Sequence, residues 1–238
     1  MESIAKFIIA PGGIEKTARL LSFGCLGLAG SCKPGSLSQQ KFGIFAKQLS
    51  SARCTFRLFL DLPVLLKTLR YGLGKHEKDP IIRMLDLIAN LADQLFFPLE
   101  HIAWASDCGL IKIPSAKFWA TSIGCWAVSL LSGILKCFRQ ISKLTLSERA
   151  LHQQFKLTGN DISDQLNEIR FNKNLSLITI AKNLADLINA IHWLPANPYL
   201  WSGKLPMKYV GIFGVISTVL GILLAKYQAQ PPKPKKAD

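Results

Sequence analysis

Two groupings of acids and histidines are the residues of this chain whose types and spacing could do chemistry. Asp93, Glu100 and His101 lie in the stretch NLADQLFFPLEHIAW at 90–104, and Asp186 and His192 lie in a shorter echo, NLADLINAIHW, at 183–193. Paired carboxylates and imidazoles can serve as acid, base or metal ligand. The pattern stops short of a reaction. One histidine accompanies each copy, no serine or cysteine nucleophile stands beside a base, and neither HExxH nor a glycine-rich phosphate loop occurs. The residues therefore read as non-enzymatic, with no metal and no cofactor. Asp93 and Asp186 pair with or cap neighbouring helices, while His101 with Trp104 and His192 with Trp193 suit a bilayer boundary.

The elements that must carry these residues are amphipathic helices. Ile81, Leu85, Ile88, Ala92, Leu95, Leu99 and Ile102 recur at alternating steps of four and three, with Asp86, Asn90, Asp93 and Glu100 opposite. In the echo, Leu177, Ala181, Leu184, Ile188 and Ile191 share a face, and Lys182, Asp186 and Asn189 fall on the other. Each copy leads towards an uncharged run, 118–135 and 209–225. The first is just long enough to cross about 30 Å of hydrocarbon and the second is marginal. The chain thus reads as two related units, each an amphipathic helix followed by a membrane-length one, or as two similar solutions to one packing problem.

Composition agrees. A hydrophobic fraction of 49%, only 18% charged residues and no sustained polar–apolar alternation predict helices and a membrane. A net charge of +14 fits either nucleic acid or an anionic membrane surface. Nucleic-acid binders seldom carry two apolar runs near spanning length, which favours the membrane. The six cysteines form no CxxC pair and read as small apolar residues of a reducing compartment. The first residues lack the features of a secretory signal and the last are not an SKL-type address, so organelle targeting is expected to be internal.

The expected fold is all-α, a membrane-embedded helical bundle with amphipathic interfacial helices and two hydrophobic membrane-spanning helices. Its parts are an amphipathic region at 1–117, a first span at 118–138, a polar loop and second amphipathic helix at 139–206, a second span at 207–227 and a basic disordered tail at 228–238. Gly24, Gly27 and Gly30, spaced by three, predict a close helix contact. Within the first part, residues 41–61 place Phe42, Phe45, Leu49, Ala52, Phe56, Phe59 and Leu60 on one stripe and Lys47, Ser50, Arg53, Arg57 and Asp61 on the other. A Phe-rich face opposite a basic one suits a helix lying in a bilayer interface, its cations near lipid phosphates; the alternative is an ordinary surface helix packed on a protein core. Pro63 is expected to end or kink that helix, and Pro98 to kink the next. Lysines and arginines flank both spans almost equally, so the positive-inside rule chooses no orientation.

The order LSSARCTFRLFLDLPVLLKTLRYGLG (49–74), NLADQLFFPLEHIAWASD (90–107) and NLADLINAIHWLP (183–195) closely resembles the peroxin-11 family of peroxisomal membrane proteins, its gamma-type branch above all. The match runs from about residue 10 to 225 in one order. Residues 140–175 and the tail lie outside its support. The resemblance implies a multi-pass protein of the peroxisomal membrane, both termini in the cytosol, that promotes elongation, proliferation and fission of the organelle. It places the membrane-remodelling helix at 41–61, extending towards Tyr71, with Lys47, Arg53, Phe56, Arg57 and Phe59 contacting an anionic phospholipid membrane. Its implied partners are further copies of the chain, other family members, a tail-anchored fission adaptor and a dynamin-related GTPase, with no nucleic acid. A pore for small metabolites is the alternative, although neither apolar run holds an ionisable residue to line one. Lys235 and Lys236 match the dilysine pattern read by coatomer, a departure from the family picture.

Overall fold

The computed structural model describes residues 12–59, 61–159, 161–195 and 200–229. Among them are seven helices and no strand: α1 (Gly13–Ser31), α2 (Leu37–Arg57), α3 (Asp61–Tyr71), α4 (Pro80–Asp107), α5 (Ser115–Thr158), α6 (Ser163–Trp193) and α7 (Met207–Ala229). Lys235 and Lys236 lie outside the described residues.

Local chemistry sets the boundaries. The Ser36 hydroxyl accepts a hydrogen bond from the Gln39 N–H and opens α2. Asp79 accepts from the N–H groups of Ile81 and Ile82, and Pro80 follows where a missing N–H costs nothing. Gly159 ends α5 at φ 69°, a left-handed turn that side chains disfavour. The break expected at Pro63 comes earlier. Helix α2 stops at Arg57, and Pro63 sits in the first turn of α3, where no intrahelical bond is lost. Pro98 lies inside α4 without ending it.

The first apolar run extends further than its composition suggests. Residues 139–158 continue α5 as helix, so the polar region has its turns only after Thr158 and after Trp193. Two helices, over Ser115–Leu157 and Met207–Gln228, are long and apolar enough to cross a membrane.

Helix α5 packs on α4 and α6, α7 on α1 and α6, and α2 on α1. Gly27 and Gly211 bring α1 and α7 together so closely that a Cβ on Gly211 would overlap the Gly27 backbone. Gly30 likewise meets the backbone at Lys208, whereas Gly24 faces open space. The close contact expected of this glycine series is therefore made by two of its three members.

The interior mixes apolar side chains such as Phe23, Leu85, Leu130 and Val210 with polar and charged ones. A small apolar cluster joins Ile134, Cys137 and Ile180. Elsewhere, Asn90, Glu100, Asn183, Asp186, Asn189, Ser217 and Thr218 are buried, while Leu91, Leu95, Leu131, Leu177 and Leu184 are exposed. Exposed large apolar side chains on several helices match a hydrocarbon surround, and buried Glu100 is satisfied within the protein, whereas Asn189 Oδ1 accepts no hydrogen bond among the described residues.

Candidate membrane-interaction site

The polar stripes of α4 and α6 turn inward and meet charges from α1 and α2. Arg57 of α2 grips Glu100 with two bonds, at 2.7 Å from Nε and 2.6 Å from Nη2. Arg53, one turn earlier, donates to Glu15 of α1 at 3.0 Å. Arg19, one turn further along α1, donates to Asp186 of α6 at 2.5 Å and to the hydroxyls of Ser217 and Thr218 on α7. Lys182 completes this group at 3.1 Å from Asp186. Burial alone would raise the Asp186 carboxyl, but Arg19 and Lys182 outweigh it and hold the group below the usual carboxylate range.

The sequence-derived site residues are therefore distributed in two directions. Lys47, Phe56 and Phe59 are exposed. Arg53 and Arg57 are not. Arg53 is buried and Arg57 is half-buried, both engaged by carboxylates of other helices. This corrects their expected outward aim: at one residue per 100° the arginines share a face with Ala46 and Cys54, which is the face packed on α1 and α4. Glu15 and Arg19 were missed by the sequence reading. The available signal was their spacing of four, which places opposite charges on one face of the helix.

His101 joins α4 to the start of α3, with Nδ1 3.1 Å from Asp61 Oδ2. Burial pushes the Asp61 carboxyl up and His101 opposes it. His192 has a different task. Its Nδ1 accepts from the Leu205 N–H at 3.2 Å and its carbonyl accepts from the Gly203 N–H, so it ties the α6–α7 connector down. Burial lowers its pKa. Trp193, paired with it at a bilayer boundary in the sequence reading, stacks between Phe23 and Trp126, with ring centroids 6.1 and 6.2 Å apart.

Asp93 lines two cavities at once, as does Trp126. One cavity, of about 830 Å³, is bordered by Lys67, Asp86, Lys136 and Lys182. The other, of about 490 Å³, is bordered by Glu15, Arg19, Arg53, Arg57 and Glu100. Among the described residues no cluster of three or more His, Cys, Asp or Glu has the geometry for a metal ion.

The outer side of α2 and α3 is rich in apolar side chains, interleaved with the exposed Lys41, Lys47, Lys67 and Arg70. Phe45, Phe56 and Phe59 are exposed on and just beyond α2, and Phe59 is 78% exposed. Helix α3 buries none of its residues, leaving Leu62, Leu65, Leu66 and Leu69 open. Together they form one apolar surface anchored from behind by arginine–carboxylate pairs.

The family model described as Peroxisomal biogenesis factor 11 (PEX11) matches residues 1–225. The human protein named Peroxisomal membrane protein 11C is 33% identical over 233 residues, covering 96% of this chain and 94% of the relative. Its namesake in Mus musculus is 34% identical over 214 residues, covering 87% and 86%. Peroxisomal membrane protein PMP30A of Candida boidinii is 24% identical over 240 residues, covering 92% and 91%. The 11C relatives correspond to the gamma-type branch. No solved structure matches the chain.

Proposed function

The chain belongs to the PEX11 family, membrane proteins of peroxisomes with a role in peroxisome biogenesis, and on that premise we propose that it elongates and divides the organelle by wedging α2 and α3 into one leaflet. The observation that carries this reading is the exposed apolar surface of these two helices, from Phe45 to Leu69, backed by the ion pairs of Arg53 and Arg57. Burying a side chain such as Phe or Leu in acyl chains releases about 1.5–3 kcal/mol, so several together hold a shallow helix in the leaflet. A wedge in one leaflet expands it relative to the other and favours curvature. Lys47, Phe56 and Phe59 contact lipid, while Arg53 and Arg57 fix α2 to the rigid frame. Helices α5 and α7 cross the bilayer with both termini in the cytosol, and the protein acts with further copies of itself, other family members, a fission adaptor and a dynamin-related GTPase. Coatomer recognition of Lys235 and Lys236 would add retrieval to this scheme.

A second reading, a pore for small metabolites, is favoured by the two charged cavities that share Asp93 and Trp126. Reconstitution separates the two. Tubulation of liposomes without solute or ion flux supports shaping. Flux from undeformed vesicles overturns it in favour of the pore.

A further inference from the structure

Arg53 stands apart from the other buried charges. Its side chain is 8% exposed and only Nε is engaged, on Glu15; neither terminal amino group has a hydrogen-bond partner among the described residues. Arg19 and Arg57 differ, since each spends a terminal amino group on a carboxylate. Burial pushes the Arg53 guanidinium down to about 10, with Arg19 and Arg57 adding to the effect against Glu15. Guanidinium donors that border a cavity without a protein partner suit an oxyanion brought from outside the chain.

The cavity of about 490 Å³ beside it supplies room for one. Its wall is aromatic, with Phe96, Phe97, Trp119, Trp126 and Trp193, and Phe23 lies 5.7 Å beneath the guanidinium. The carboxylates on the same wall are occupied: Glu15 by Arg53 Nε and Glu100 by Arg57. Asp93 is driven towards its neutral form by burial, against Ser129, Lys67 and Lys182.

We propose that this cavity holds a phospholipid, its phosphate on the two free amino groups of Arg53 and the start of its acyl body against the aromatic wall. The inference rests on the membrane reading above but not on curvature. The bound lipid would be a structural ligand that locks α2 to α1, α4 and α5, distinct from the lipids under the outer face of α2. A guanidinium fork matches a phosphate as well as a carboxylate, and the mixed polar and aromatic lining suits an amphiphile better than a small hydrophilic anion.

The test uses the full chain purified from membranes, with bound phospholipid counted by native mass spectrometry after detergent washing. Wild type retains one phospholipid per chain, and Arg53→Gln retains at least tenfold less. Glu15→Gln is the control for folding. It breaks the same ion pair yet keeps the Arg53 fork and removes a competing carboxylate, so it retains as much lipid as wild type or more. Equal retention in wild type and Arg53→Gln overturns the proposal. So does equal loss in Arg53→Gln and Glu15→Gln with the same fall in melting temperature, which makes Arg53 merely structural. Inorganic phosphate at millimolar concentration leaves the lipid in place; displacement by phosphate assigns the site to a soluble anion and overturns the lipid. Tubulation by the wild-type protein, assayed separately, distinguishes this site from the wedge: wild type that tubulates liposomes but retains no phospholipid overturns the lipid site and leaves the curvature reading standing, and wild type that retains phospholipid without tubulating does the reverse.

Discussion

Replacing Arg57 with methionine tests the inward charge pairing of α2 most directly. Glu100 is 3% exposed and receives both bonds of the Arg57 fork, at 2.6 and 2.7 Å. Its loss leaves a buried carboxylate without a counter-charge, which costs about 3–5 kcal/mol. The Arg57 side chain is 18% exposed, so water or headgroups reach its edge and the lower end, about 3 kcal/mol, is expected. That is about two powers of ten in the folded-to-unfolded ratio at about 1.4 kcal/mol each. Glu100→Met should cost a similar amount by stranding the arginine. The double variant should return to wild-type stability or exceed it, because two apolar groups of similar volume need no partner. Reversible unfolding in mixed micelles, followed by circular dichroism, reads all three. If each single change costs under about 1 kcal/mol, as exposed pairs do, Arg57 faces outward and the inward orientation of α2 is wrong. Normal stability with lost liposome binding would return Arg57 to the lipid phosphates.

Phe56→Ser and Phe59→Ser in a peptide of residues 41–71 should each weaken partition into anionic liposomes by about 2 kcal/mol, about thirtyfold, measured by vesicle flotation alongside the gain of helical circular dichroism. In the whole protein Phe59→Ser should leave the melting temperature unchanged, since the ring packs on little. Gly211→Ala should destabilise α1 against α7 by about 1–3 kcal/mol through overpacking. Gly27→Ala should be tolerated, because its Cβ would lie 3.7 Å from the Gly211 Cα; comparable losses in both variants would refute the stated contact. Asp79 is held below the usual carboxylate range: burial opposes this, but the N–H groups of Ile82 and Ile81 and the Arg139 guanidinium prevail. Its contribution is present above the ordinary carboxylate pKa and is lost as pH falls through its lower folded value, so acid melting curves should flatten in Asp79→Asn.

Much of the fold was legible in the chain. Helix periodicity marked the elements, Asp79 and Pro80 carried capping chemistry, and the runs at 118–135 and 209–225 announced the two long apolar helices. Helix ends were less legible. Nothing in the polarity of 139–158 distinguishes the continuation of α5 from a separate soluble helix, because hydrophobic periodicity reports which face is buried and not where a helix stops. The site divided in the same way. The composition of α2 identified an aromatic face and a basic face, but the environment of each face depends on what packs behind it.

The sequence by itself determined that the protein is helical, that its helices are amphipathic or membrane-length, and which side chains share a face. Those properties follow from local spacing and from side-chain transfer energies, which need no partner to be stated. Only the tertiary structure decided which face of each helix is inside. A basic stripe is neutralised equally well by lipid phosphates or by carboxylates of another helix, and the choice was made by Glu15 and Glu100, distant in sequence, arriving within 3.0 Å of Arg53 and Arg57. The same packing left two amino groups of Arg53 unmatched beside a cavity, a feature that no spacing of residues along the chain encodes.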